Sequence, residues 1–226
     1  MRRSLFLTSI FVFSMLMLGL RANPDLAEAQ VAPTPVPQTE YTGRAFERAN
    51  NLGITFISSA QIEQNDERYQ NALLLGAGWT RWPLYWNQVQ PSVDTWDWEA
   101  YDELIINDVR YGLNINAIFL DRPLFYADGE SIAGLNEPIF ADGSDSPGEG
   151  KTINPSNPWA IFVYEAVQRY KPGGVLAQEQ GWDNGQGVDV WEVWNEPDLE
   201  QFWRGGIPTY ARLLKVAYLA AHHADP

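Results

Sequence analysis

Val188-Asp189-Val190-Trp191-Glu192-Val193-Trp194-Asn195-Glu196-Pro197-Asp198 reads as a strand that stops abruptly. Its β-branched and aromatic residues favour extended backbone, and Pro197 cannot continue a ladder. Side chains alternate along a strand, so Val190, Glu192, Trp194 and Glu196 are expected on one face. A helical reading would put Glu192 and Glu196 on one helix face, but Pro197 and the valines oppose it.

The same punctuation recurs upstream and downstream. Residues 53–57 are expected as a short buried strand, about 65–75 as a helix, and 78–83 as a second strand closed by Pro83. Residues 97–111 place Trp98, Tyr101, Leu104, Ile105 and Val109 on one helical stripe, which Gly112 ends. Residues 114–120 form a third apolar strand. A Gly/Pro/Asp-rich connection over 121–157 follows, of a length usually functional or disordered. Helices are expected over 158–170, with Pro158 in the first turn, and over 210–221.

Four strand–helix units in strict alternation specify an α/β fold with a parallel sheet and right-handed crossovers. A doubly wound sheet and a (β/α)8 TIM barrel both satisfy that order. No G-x-G-x-x-G follows the first strand and no Walker pattern occurs, so nucleotide-binding versions lose support. The expectation is a TIM barrel of which about the first four βα units are present, over residues 45–226.

Ahead of it, Met1-Arg2-Arg3, an apolar run over 5–20 and Ala27-Glu28-Ala29 have the layout of a secretory signal peptide, residues 1–29. The run is short for a membrane span, so cleavage and export outweigh a retained anchor. Residues 30–44, with Pro33, Pro35 and Pro37, read as an extended linker. Formal net charge is −14. That sign disfavours nucleic acid and anionic lipid as partners. With no cysteine, disulfides and thiolate metal sites are excluded.

Trp194-Asn195-Glu196-Pro197 resembles the motif of the clan of retaining (β/α)8 glycoside hydrolases, families 5 and 39 and their relatives. Arg81-Trp82-Pro83 with Trp86 and Pro91, then Trp96-Asp97-Trp98-Glu99-Ala100-Tyr101-Asp102, looks like the clan's second strand and helix. The resemblance covers residues of about 50–226. It implies hydrolysis of β-linked glycosides by double displacement, with Glu196 as acid/base at the end of strand four, where barrel sites are built. Asn195 would bond the sugar 2-hydroxyl, and Arg81 would sit beside the nucleophile. Such an acid must keep its proton near neutral pH, which a partly dry site and a nearby anion promote. No metal or organic cofactor is implied, and the partner is a carbohydrate substrate.

Plainer readings stand beside these. Glu196 also reads as a solvated turn carboxylate, Asn195 as a turn cap, and Arg81 as a core ion-pair partner. Glu192 reads as an inward carboxylate with a basic or polar neighbour, and as the rival acid/base. Of ten tryptophans, Trp86 and Trp203 lie just past strand ends and are the expected sugar platforms, with Tyr126 a third. The acidic stretch 142–149 fails the EF-hand template and reads as a solvated loop. His222-His223 read as helix-end residues.

The clan's nucleophile is a glutamate at the end of strand seven, and no carboxylate here matches it. The chain is therefore expected to be a fragment, inactive alone. No histidine lies near the third strand, which leans away from family 5 toward family 39 relatives. The alternatives are a secreted non-catalytic carbohydrate-binding or surface-interaction protein and, less well supported, a metal-dependent barrel hydrolase.

Overall fold

A computed structural model describes residues 49–182 and 185–226. The expected signal peptide and linker, residues 1–44, lie outside the described residues.

Four strands, β1 (Ala49–Thr55), β2 (Ala77–Tyr85), β3 (Asn114–Leu120) and the later β6 (Val190–Val193), form one sheet in the order β1-β2-β3-β6. Every pairing in it is parallel. Each strand is followed by helix: α1 (Asp66–Leu74), then α2 (Trp86–Val89) with α3 (Glu99–Arg110), then α4 (Pro158–Tyr170) with α5 (Val175–Gln180), and finally α6 (Gly206–Ala224). Between β3 and α4 a 3-10 turn (Leu124–Tyr126) leads into a small antiparallel hairpin, β4 (Ala127–Asp128) and β5 (Ser131–Ile132).

Local chemistry fixes the helix ends. The Asn65 side chain accepts the Glu67 N–H at 2.8 Å, with Asp66 and Glu67 in the first turn. The Asn157 side chain accepts Ala160 N–H at 3.1 Å ahead of Pro158. Gly112, at φ 63°, lets the chain leave α3 in the left-handed conformation.

The sheet is two-faced. Trp82, Leu84, Ile115, Ala117 and Phe119 point to the helices and are buried. There they meet Trp86, Trp159, Phe162 and Leu104 in the main core, where each large apolar side chain contributes roughly 1.5–3 kcal/mol. Arg81, Asn116 and Glu192 stand on the other face, half-buried. Residues 53–57 were expected as a buried strand. Instead β1 ends at Thr55, with Leu52 39% and Phe56 47% exposed. Among the described residues it is a sheet edge, paired with β2 on one side.

The connection over 121–157 is folded down rather than merely solvated. Asp145 accepts hydrogen bonds from Arg212 and Lys215 of α6 and from Ile139 N–H. Burial opposes ionisation of Asp145, but those donors outweigh it and hold the carboxyl well below its usual range. Arg212 also donates to the carbonyls of Leu135 and Glu137 at 2.9 and 2.6 Å. Asp142 pairs with Lys151 at 2.7 Å. Among the described residues no group of three acidic or histidine side chains is placed to hold a metal, and no helix is long and apolar enough to cross a membrane.

Candidate functional site

The polar face of the sheet carries one connected network. Arg81 in β2 donates through Nε to Glu192 Oε1 at 2.9 Å and through Nη2 to Glu192 Oε2 at 2.7 Å. This bidentate fork is the geometry in which guanidinium and carboxylate bind most strongly. Asn116 in β3 donates to Glu192 Oε1 at 2.6 Å. The Arg81 hydrogen bonds, assisted by Asn116, hold the Glu192 carboxyl below its ordinary range against a smaller effect of burial. Arg81 is raised in turn, chiefly by Glu192, and the field of Glu196 adds to the shift.

From Arg81 the network runs to the end of β6. Arg81 Nη2 also donates to Asn195 Oδ1 at 3.2 Å, and Asn195 Nδ2 donates to Glu196 Oε2 at 3.3 Å. Glu196 itself is exposed. Arg81, Asn195 and Glu196, singled out from the sequence, are thus brought together, and Glu192 joins them as the ion-pair partner of Arg81.

Strict alternation does not carry through to Glu196. Trp194 and Glu196 have φ of 66° and 45°, so the ladder ends at Val193 and the chain turns. Glu196 O then accepts the N–H of Leu199 at 3.0 Å. Phe56 and Asp121, the other described non-glycine residues with positive φ, directly follow β1 and β3. Each such residue costs on the order of 1–3 kcal/mol, and strain of this kind clusters at functional sites. Here it gathers along the carboxyl edge of the sheet, the edge on which α/β proteins build their sites.

Two expected platforms are corrected. Trp86 is 0% exposed, donates to Gln90 Oε1 at 2.7 Å and stacks among Tyr126, Trp159 and Phe162. Trp203 is 7% exposed, donates to Gly206 O at 3.0 Å and packs edge-on to Trp194 and Tyr210. Both rings close the core beneath the loops and offer no free face to a ligand. Tyr126 is half-buried, one face against Trp86. His222 and His223 lie in the last turn of α6, where His223 Nε2 is 2.8 Å from Lys151 O.

Asn116 was missed by sequence reasoning. Its signal was present: in Asn114-Ile-Asn-Ala-Ile-Phe-Leu120 the amides fall at a spacing of two, opposite Ile115, Ala117 and Phe119. The Asn116 Oδ1 is buried and has no hydrogen-bond partner among the described residues.

The chain matches no protein-family model and no curated protein. Among solved structures it is similar to a β-glycosidase from Pyrococcus horikoshii, at 17% identity over 70% of this chain and 33% of that one, with a TM-score of 0.37. It is also similar to the protein of a cellulase–inhibitor complex, at 14% identity over 76% of this chain and 48% of that one, with a TM-score of 0.36. The chain spans about a third of the first and about half of the second. Likeness at that level assigns neither a family nor an activity.

Proposed function

We propose that residues 45–226 form the amino-terminal half of a (β/α)8 barrel that hydrolyses β-linked glycosides with retention, Glu196 acting as proton donor and then as base. One observation carries the reading. An Asn–Glu pair stands where β6 ends in a parallel sheet, and Arg81 holds its asparagine.

The geometry supports these roles. Glu196 has an exposed carboxyl group, open to a leaving-group oxygen. Asn195 spans Arg81 and Glu196, and its Nδ2, in only a 3.3 Å contact, is the group that transfers to a sugar 2-hydroxyl. Glu192 is engaged by both Arg81 and Asn116, so it positions the arginine rather than exchanging protons. Retention also needs a second carboxylate about 5–5.5 Å from the first. The reading assigns that nucleophile to a residue outside these 226. The signal-like layout of residues 1–29 supports an activity outside the cell. A non-catalytic sugar binder fits less well, because Trp86 and Trp203, its platforms at this edge, are buried.

The test is leaving-group dependence in the native polypeptide that contains these residues. Glu196→Ala should lower kcat/KM by roughly 10²–10⁴ for glycosides with poor leaving groups and far less for activated aryl glycosides. Equal loss for both, or none, overturns the role of Glu196. Retaining turnover of an aryl β-glycoside by the 226-residue chain alone overturns the placement of the nucleophile elsewhere.

A further inference from the structure

Of the phenylalanines the structure describes, Phe119, Phe140 and Phe162 are buried in the core, whereas Phe56, Phe125 and Phe202 are exposed. The three exposed rings all follow strands. Phe56 comes directly after β1, Phe125 lies in the turn after β3, and Phe202 in the loop after β6. Leu124, 90% exposed, stands beside Phe125 in sequence, and Leu199, also exposed, lies on the loop of Phe202. Single apolar side chains in water are ordinary, but a set on the carboxyl edge of a parallel sheet falls where such folds bind ligands.

Two of these loops are joined beside Glu196. Leu199 N–H donates to Glu196 O at 3.0 Å, Phe202 N–H to Leu199 O at 2.9 Å, and Trp194 Nε1 to Phe202 O at 2.9 Å. The segment carrying Leu199 and Phe202 is thus built onto the turn of Glu196. The hairpin that follows Phe125 reaches the same loop at Gly205, where an added Cβ would lie 3.3 Å from Glu130 O. Phe125 is braced edge-on at 4.8 Å by Tyr126, itself stacked on Trp86, yet keeps its exposure.

We infer that Leu124, Phe125, Leu199 and Phe202 form the surface that receives the leaving group, and that this group is alkyl or aryl and carries no negative charge. The inference rests on the role proposed for Glu196. That acid hands its proton to the leaving-group oxygen as the bond from this oxygen to the anomeric carbon breaks, so the group departs as an alcohol. Arg81 and Asn195 hold the polar face of the sheet, where the sugar ring is bound. A surface built onto the acid's own turn therefore meets the other side of the bond. Leucine and phenylalanine offer no hydrogen bond to the hydroxyls of a second sugar, but they shed water against hydrocarbon. Asp198 and Glu200, exposed on the same loop, repel an anionic group.

The test is a ¹⁵N–¹H NMR titration of the 226-residue chain with 1-hexanol and with phenol, glycerol being the polar control. The backbone N–H signals of Leu124, Phe125, Leu199 and Phe202 should shift with at least one of the two apolar alcohols, and the tighter one tells an alkyl from an aryl group. Glycerol at the same concentration should leave them in place. Leu124→Ser with Phe202→Ser should weaken the tighter alcohol at least fivefold, and an unmoved indole signal from buried Trp159 reports that the core is intact. Leu124→Ser alone, at the most exposed of the four, is the second variant should the pair not fold, and should weaken binding about twofold. Equal shifts with glycerol, or unchanged affinity in the variants, overturn the inference. So do concentration-dependent shifts at the same signals without alcohol, which assign the patch to a second copy of the chain. Alcohol binding without the leaving-group dependence expected of Glu196→Ala overturns the acid instead, whereas that dependence without alcohol binding overturns the surface alone.

Discussion

Two carboxylates on opposite sides of the same sheet meet opposite fates. Glu192, on the polar face, receives a guanidinium fork and an amide, and is held ionised below its ordinary range. Asp108, in α3 on the helix face, is fully buried, and among the described residues no cation pairs with it. Trp82 Nε1 donates to its Oδ2 at 2.8 Å, while Oδ1 has no hydrogen-bond partner among the described residues. Burial pushes Asp108 up to about 7, and the hydrogen bond from Trp82 offsets that only in part. The lesson concerns partners more than depth: a neutral donor does not replace a charge as compensation for lost solvent.

The largest expected effect comes from removing the ring that links Asp108 to the core. Trp82→Ala should cost about 3–5 kcal/mol in urea denaturation, because it opens a cavity and orphans the carboxylate together. An effect below about 1 kcal/mol would mean that the helix face is not packed as described.

Next comes pH. Asp108 titrates higher in the folded chain than its ordinary 3.8. The unfolded chain therefore releases this proton first as pH rises. The stability that neutral Asp108 provides is full below about 4 and is lost as pH climbs through about 7. Asp108→Asn should accordingly be more stable than the parent at pH 8, by an amount of order 2 kcal/mol, and should flatten the stability profile between pH 4 and 8. An unchanged profile would show that Asp108 is not the group responsible.

Arg81→Met tests the other face. Glu192 loses its fork while remaining half-buried, so the cost at pH 7, discounted for solvent access, should be about 1–2 kcal/mol. Because the folded carboxyl titrates low, this contribution is present above the unfolded value and fades as pH falls through the folded one. The gap between parent and variant should therefore close in acid. A gap independent of pH would locate the loss in packing instead. The smallest effect is Asn116→Ala, about 1 kcal/mol, with the Glu192 carbon signal in NMR titrating closer to an ordinary glutamate.

What the sequence disclosed follows the same division. The strand expected over 114–120 and the helix over 158–170 match β3 and α4, because alternation and an Asn-Pro cap are strong local signals. The hairpin at 127–132 and α5 at 175–180 are too short to carry a period. The turn at Trp194 and Glu196 was illegible for another reason. Left-handed backbone announces itself through glycine, and here it is imposed on a tryptophan and a glutamate by the ladder before them and the turn after them. Trp86 and Trp203 were misplaced because an indole past a strand end looks the same whether it closes a core or faces a ligand. Only the packing of α4 and α6 against them decides it.

The hold of Arg212 on the 121–157 connection carries a kinetic consequence. Its bonds to Leu135, Glu137 and Asp145 join positions some 67–77 residues apart in the chain. Closing a loop of that size costs entropy before any contact repays it. Seating α6 and ordering the connection are therefore expected to occur together and late in folding.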